Sequence, residues 1–210
     1  MTRDEAVAQI KLLLGFRKTL DTTIVEQMKN VQSQLESDAT LPWFLRRNSV
    51  GIATSPGNPF INKPVDFIRE WDEDPLYLVY TNTEGNYRVN LIKDSESYLT
   101  ARYAMAEAPA GYAEIGEQWK LIPTPVEILT VYLSYYARAL SLNTNIENAW
   151  LKYNSDIIIG RTGLLIATGL RDKAAMEVFG ALAAAGTEKI NQQSTAQDEA
   201  GTRRIIGGED

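Results

Sequence analysis

The apolar residues of this chain change period twice, from helical to alternating and back. Near the start, Ile24, Met28, Val31 and Leu35 recur at steps of four, three and four, which lines them along one helix face. In the middle, residues 127–136 alternate. Ile128, Thr130, Tyr132 and Ser134 face one way and Leu129, Val131, Leu133 and Tyr135 the other, as in a strand. Late in the chain, Met176, Phe179, Ala183, Gly186 and Ile190 return to helical spacing. This order predicts an α+β fold: a mainly helical core, made of an N-terminal helical pair and a C-terminal helical pair, with an inserted antiparallel β-region and an extended C-terminal tail.

Local signals set the boundaries. Thr2 and Glu5 have the spacing of a capping box, in which a hydroxyl accepts a free backbone N–H and the carboxylate reaches back. Gly15 closes that first helix. Thr23 and Glu26 repeat the box and predict a helix over 23–36. Residues 76–81 and 87–92 are rich in aromatic and β-branched side chains and predict a hairpin with a five-residue loop, 82–86. Further strands are expected at 97–102, 112–115 and 118–122, before the rigid turn Pro123-Thr124-Pro125. Asn154 or Ser155 caps a helix to about residue 168, and Asp172 caps the next, which runs to about residue 192. Small residues at 181–186, and Gly160 and Gly163, predict close helix–helix approach.

Residues 1–195 form one domain on this reading, with helices at 3–36 and 154–193 and the β-region at about 60–136; residues 196–210 form a flexible tail. In the core, Met28, Val31 and Leu35 are expected to pack against the late helices through Phe179 and Leu182.

The chain has 210 residues, 21 Lys+Arg against 27 Asp+Glu, and neither His nor Cys. Disulfides, thiolate nucleophiles, imidazole-based triads and His/Cys metal sites are thereby excluded. Carboxylates are the remaining catalytic option, and Glu26, Glu36, Asp66, Glu70, Asp72 and Asp74 are the candidates, none singled out by spacing. The run Glu70-Trp71-Asp72-Glu73-Asp74 reads as a solvated acidic loop without EF-hand spacing. Gly160-Arg161-Thr162-Gly163 lacks the spacing and Lys of a phosphate-binding loop. Arg46-Arg47 after Trp43-Phe44 is too small a set for single-strand binding. No catalytic residue, metal or cofactor is expected. No secretory signal or membrane-length apolar run is read, so a cytoplasm-like compartment and no membrane partner are expected.

The tail ends in Thr202-Arg203-Arg204-Ile205-Ile206, bounded by glycines. It is too polar to fold alone, yet it carries an apolar pair that a solvating tail does not need. Such a segment can dock on a partner as an added strand or in a groove; a frayed terminus is the competing reading.

The order of the pieces resembles the head-to-tail connector, or adaptor, proteins of tailed bacteriophages. The opening helices are followed by Leu41-Pro42-Trp43-Phe44-Leu45. Lys63-Pro64-Val65-Asp66-Phe67-Ile68-Arg69 is similar to that family's leucine-proline-x-aspartate-phenylalanine lead-in to its β-region. Then come Gly116-Glu117-Gln118-Trp119-Lys120-Leu121-Ile122-Pro123-Thr124-Pro125, Leu133-Ser134-Tyr135-Tyr136-Ala137-Arg138, Asn148-Ala149-Trp150-Leu151 and Asp156-Ile157. Ser155 stands where the family often has proline, so a hydroxyl cap is expected there. The match covers about residues 5–200.

The resemblance implies a structural virion protein, assembled in the host cytoplasm and located at the head–tail interface. It implies a homo-oligomeric ring, commonly of 12 copies, beneath the portal protein. The ring continues the channel for double-stranded DNA without sequence-specific binding and meets a tail nozzle or tail-hub protein. Thr202, Arg203, Arg204, Ile205 and Ile206 are the expected portal-binding residues. A carboxylate-dependent cell-wall glycosidase and a cytoplasmic binding module are the competing readings.

Overall fold

The computed structural model describes residues 1–15, 20–38, 40–70, 75–82, 85–104, 108–143 and 147–202. Of the described residues, 47% are helical and 27% are strand. It divides into two units: a helical one, Met1–Leu45 with Arg138–Asp210, and a β-rich one, Arg46–Ala137.

In the helical unit, α1 (Arg3–Leu13) forms the predicted box: Glu5 N–H donates to Thr2 Oγ1 at 3.3 Å and Thr2 N–H donates to Glu5 Oε2 at 2.8 Å. Helix α2 spans Asp21–Ser37 and starts two residues earlier than expected. Thr23 therefore already lies in its first turn, the cap position falls on Leu20, and the second box does not form. A short 3₁₀ turn, Trp43–Leu45, closes this segment. After the β-rich unit come α4 (Ala149–Tyr153), α5 (Ser155–Leu170) and α6 (Lys173–Thr202).

Helix α5 is the centre of this unit. Ile157, Ile158 and Ile159 are consecutive and all buried, which requires neighbours on every side. Helices α1, α2, α4 and α6 supply them. The stripe Ile24, Met28, Val31 and Leu35 is buried, and the main partner of α2 is α5 rather than α6. Phe179 is fully buried against α5, whereas Leu182 is only half-buried. The buried isoleucine turn of α5 lies between both stripes, a geometry that periodicity does not report.

Glycines let α5 and α6 meet closely. A Cβ on Gly163 would lie 2.2 Å from the Phe179 ring, and one on Gly186 would lie 2.6 Å from Ile157 N. The two helices form a hairpin whose turn is Arg171, in the left-handed region at φ 56°, and Asp172, whose Oδ1 accepts Ala175 N–H at 3.2 Å. Asn154 occupies the position before α5 but makes no side-chain cap, and neither does Ser155. Instead, Asn154 Nδ2 donates across the hairpin to Gly186 O at 2.7 Å.

The returning chain is stitched to α2 through Glu36. Its buried carboxylate accepts from Gln32 Nε2 at 2.9 Å, Ala139 N–H at 3.1 Å and Trp150 Nε1 at 3.2 Å. Asn148 Oδ1 caps α4, accepting Trp150 N–H at 2.9 Å, while its Nδ2 donates to Gln32 Oε1 at 3.2 Å and to Leu140 O.

The β-rich unit begins at Arg46, earlier than the expected residue 60, because residues 46–53 form an unanticipated strand. Its strands are β1 (Arg46–Ala53), β2 (Phe60–Asn62), β3 (Phe67–Glu70), β4 (Leu76–Asn82), β5 (Gly85–Asn90), β6 (Ile92–Lys93), β7 (Gly111–Ile115), β8 (Gln118–Ile122) and β9 (Thr130–Ala137). β9 is the spine of the larger sheet: β1 pairs along one edge, and β4 and β3 share the other. β5 completes this sheet beyond β4, and the second sheet runs β2-β8-β7-β6. Leu76, Leu78, Val131, Leu133 and Tyr135 of the first sheet form one core with Ile61, Tyr112, Trp119 and Leu121 of the second.

Two local expectations change. Thr81 pairs with Asn86 and Asn82 with Gly85, so the strands extend into the expected five-residue loop; residues 83–84 lie outside the described residues. Residues 97–102 are not a strand but belong to α3 (Glu96–Tyr103), capped by Ser95 Oγ, which accepts Tyr98 N–H at 3.4 Å. Leu99 of α3 sits over Gly111, where a Cβ would lie 2.6 Å from Leu99 Cδ2.

Candidate functional site

The expected docking tail follows from α6. Gly186 lies against Ile157 near the start of α5, so the last turns of α6 run past its hairpin partner. An aromatic cluster supports the approach to this overrun. The Phe44 ring lies 5.1 Å from Trp150 and 5.3 Å from Tyr153, and Trp43 lies 5.1 Å from Tyr153. Trp43 Nε1 donates to Gln193 Oε1 at 3.3 Å. These rings pack on one another within the helical unit. α6 reaches Thr202, so residues 196–202, expected as flexible tail, are helical in backbone. Nine residues beyond Gln193 correspond to about 13 Å of helix. Arg203, Arg204, Ile205 and Ile206 lie outside the described residues.

The candidate carboxylates are scattered. Asp66 accepts the Tyr135 hydroxyl at 2.9 Å, and that phenol is pushed up to about 12, by burial first and then by Asp66. Glu70 accepts from Lys93 at 2.7 Å and from Tyr112 at 3.2 Å. Lys93 also pairs with Glu114 at 3.0 Å, and Glu114 pairs with Lys63, whose ammonium sits over the Phe67 and Trp119 rings. Glu26 lines a groove of about 550 Å³ between α1 and α2, beside Asp4 and Asp21, which are paired with Arg3 at 2.8 Å and Lys11 at 2.7 Å. Glu36 is buried among neutral donors, as described. Asp72, Glu73 and Asp74 lie outside the described residues. Among the described residues no three carboxylates gather as metal ligands, and no helix is long and apolar enough to cross a membrane.

The outer face of the larger sheet pairs arginines with tyrosines. Tyr136 lies between Arg46 and Arg69, at 5.6 and 5.5 Å, and Arg88 sits 4.0 Å over Tyr77, which stacks on Tyr132 at 5.4 Å. The tyrosine row of β9 is thus divided, with Tyr135 in the core and Tyr132 and Tyr136 on the arginine face.

Two surfaces had no separate sequence signal. One is a loop tip of the β-rich unit. Thr54 is buried and holds the tip: its N–H donates to Leu129 O at 2.8 Å, and its Oγ1 accepts Leu129 N–H at 2.8 Å and donates to Glu127 O at 3.2 Å. Gly57 N–H donates to Pro125 O at 2.9 Å. The tip carries Val126 at 76% and Ile128 at 72% exposure, with exposed Glu127 between them. The other surface is an apolar groove of about 430 Å³ in the helical unit. Leu20, Leu165, Ile166, Gly169 and Leu170 line it, with Thr23 and Gln27.

The model of one protein family, described as SU10 adaptor protein, matches residues 1–207. The chain belongs to that family. This is a phage adaptor family, and the SU10 adaptor match spans both units and the approach to the C-terminus. No curated protein matches the chain.

Proposed function

We propose that this SU10 adaptor is a structural, non-catalytic virion protein. It forms a ring, of 12 copies, beneath the portal protein and joins the portal to a tail nozzle or tail-hub protein. It continues the DNA channel for genome retention and ejection. Duplex DNA passes without sequence-specific binding, which suits a chain with net charge −6. Assembly takes place in the host cytoplasm. The observation that carries this reading is the family match over residues 1–207.

The portal contact is the C-terminal segment: α6 delivers Thr202, and Arg203, Arg204, Ile205 and Ile206 engage the portal. Arginines facing portal carboxylates make charge-assisted hydrogen bonds, and a ring multiplies one weak contact by its copy number. The test deletes residues 203–210 and measures co-sedimentation with portal, with melting as the folding control. The expected result is unchanged melting and lost attachment, together with protection of 203–210 from hydrogen exchange only in the complex of the full chain. Attachment by the truncated protein overturns the assignment of the tail.

A further inference from the structure

We propose that the outer face of the larger sheet is a docking surface for a carboxylate-rich segment of another protein. The surface is independent of the ring and of the C-terminal segment. The β-rich unit covers its two sheets unequally. Leu99 of α3 packs with Ala113 and Ile122 on the outer side of the second sheet. On the outer side of the larger sheet Gly51, Ala53, Val79, Arg88 and Asn90 are exposed, so no described element covers it there.

Register fixes what this face offers. Leu78, Val131, Leu133 and Tyr135 point into the core, so their neighbours along each strand point out. The charged residues at outward positions are Arg46, Arg69 and Arg88. The other outward positions hold Tyr, Asn, Thr, Ser, Val, Ala or Gly, and among the described residues neither Lys nor a carboxylate. Glu70, the carboxylate of β3, turns to Lys93 and Tyr112 of the second sheet. A merely solvated face mixes both signs of charge. Arg and Tyr without Lys, Asp or Glu is the composition of interface centres.

Geometry selects the partner. Arg88 lies 4.0 Å over Tyr77, and Tyr136 lies between Arg46 and Arg69. Tyr77 and Tyr136 are only 7% and 8% exposed, so guanidiniums and not these rings meet a partner. Bases have little open ring to stack on, and three cations are few for a duplex backbone. A guanidinium lying on a ring presents its N–H edge in a fixed orientation, which matches a carboxylate bidentately. That order precedes binding and lowers its cost. Tyr132, stacked on Tyr77, and Tyr136 are four residues apart on β9, about 13 Å, so roughly five extended residues reach from Arg88 to the Arg46–Arg69 pair.

The test titrates fluorescein-labelled deca-glutamate into the full chain at low ionic strength and follows anisotropy. The expected result is saturable binding that weakens as salt is raised, with Arg88→Gln and Arg69→Gln each losing about tenfold. Arg88→Lys keeps the charge but loses the fork, and binds more weakly than the parent. Lys120→Gln removes one cation from the second sheet, where it pairs with Glu96, and leaves binding unchanged. Thermal melts check each fold; Arg88 is exposed, so its variants carry the test if Arg69→Gln melts early. No saturable binding, or equal binding by Arg88→Gln, overturns the proposal. Tighter binding of a single-stranded oligonucleotide of equal length overturns it in favour of nucleic acid. Self-association that Arg88→Gln abolishes, without peptide binding, overturns it in favour of a second copy.

Discussion

Gly160→Ala separates helix propensity from helix packing. Alanine is favoured over glycine inside a helix by roughly 1 kcal/mol. At Gly180, in α6, an added Cβ meets nothing within 4 Å, so Gly180→Ala keeps that gain. At Gly160, in α5, the Cβ would lie 2.3 Å from Ala183 N, 2.8 Å from Ala183 Cα and 2.9 Å from Leu182 C. Ordinary contact begins at 3.4 Å, so the helices must part by 3.4 − 2.3 = 1.1 Å. The obstructing atoms are backbone, and no rotamer change relieves them. Parting the hairpin also loosens the seats of Phe179 on Gly163 and Ile157 on Gly186. Overpacking of this kind costs about 1–3 kcal/mol or more, and the propensity gain offsets about 1 kcal/mol of it. The expected net loss approaches about 2 kcal/mol, a fall in Tm of about 4–8 °C, whereas Gly180→Ala raises Tm by about 2–4 °C. Thermal melts followed by helical circular dichroism read both. If Gly160→Ala melts at or above the parent while Gly180→Ala rises as expected, the close approach of α5 and α6 is refuted.

Three further outcomes are expected. Glu36→Ala leaves Gln32 Nε2, Ala139 N–H and Trp150 Nε1 without their shared acceptor and costs about 1–3 kcal/mol for each donor left dry; Glu36→Gln keeps an acceptor oxygen and costs less, both measured by urea unfolding. Leu35→Asp forfeits about 1.5–3 kcal/mol of burial and places a charge against α5, so the cooperative melt is lost; an unchanged Tm removes α2 from the core. Glu114 is held below the usual carboxylate range by its hydrogen bonds to Lys63 and then Lys93, which outweigh the opposing push of burial. Its contribution is complete above its ordinary value and is lost as pH falls through the lower folded value. Because the side chain is 44% exposed, the effect stays below about 1 kcal/mol, and Glu114→Gln flattens that acid limb of the urea midpoint.

Elements with a strong period were legible. The α2 stripe, the alternation of β9 and the α5–α6 glycine seam could be read because each places its pattern within one element. The strand β1 was hidden, since Arg46-Arg47-Asn48-Ser49 has little β-propensity and becomes a strand by pairing with β9. Residues 97–102 were expected as strand, but the Ser95 cap and the burial of Leu99 with Ala113 and Ile122 over Gly111 select a helix. Thr23 and Glu26 had the right spacing for a cap and the wrong place in the helix. The tip and the groove escaped notice because each is assembled from residues distant in sequence: Thr54 with Leu129, and Leu20 with Leu165. A one-dimensional pattern does not register such pairs.

The helical unit is written in two pieces, 1–45 and 138–210, and this has a consequence on the ribosome. The stripe of α2 is complete once Leu35 is synthesised, but its partner α5 begins at Ser155. At about 5–20 residues per second, Met28, Val31 and Leu35 wait roughly 6–24 s for the surface that covers them. The β-rich unit, which is contiguous from Arg46 to Ala137, has all its strands in hand before that wait ends. During synthesis the nascent chain therefore carries a finished sandwich behind an unfinished amphipathic helix, and that helix is the segment a chaperone would hold.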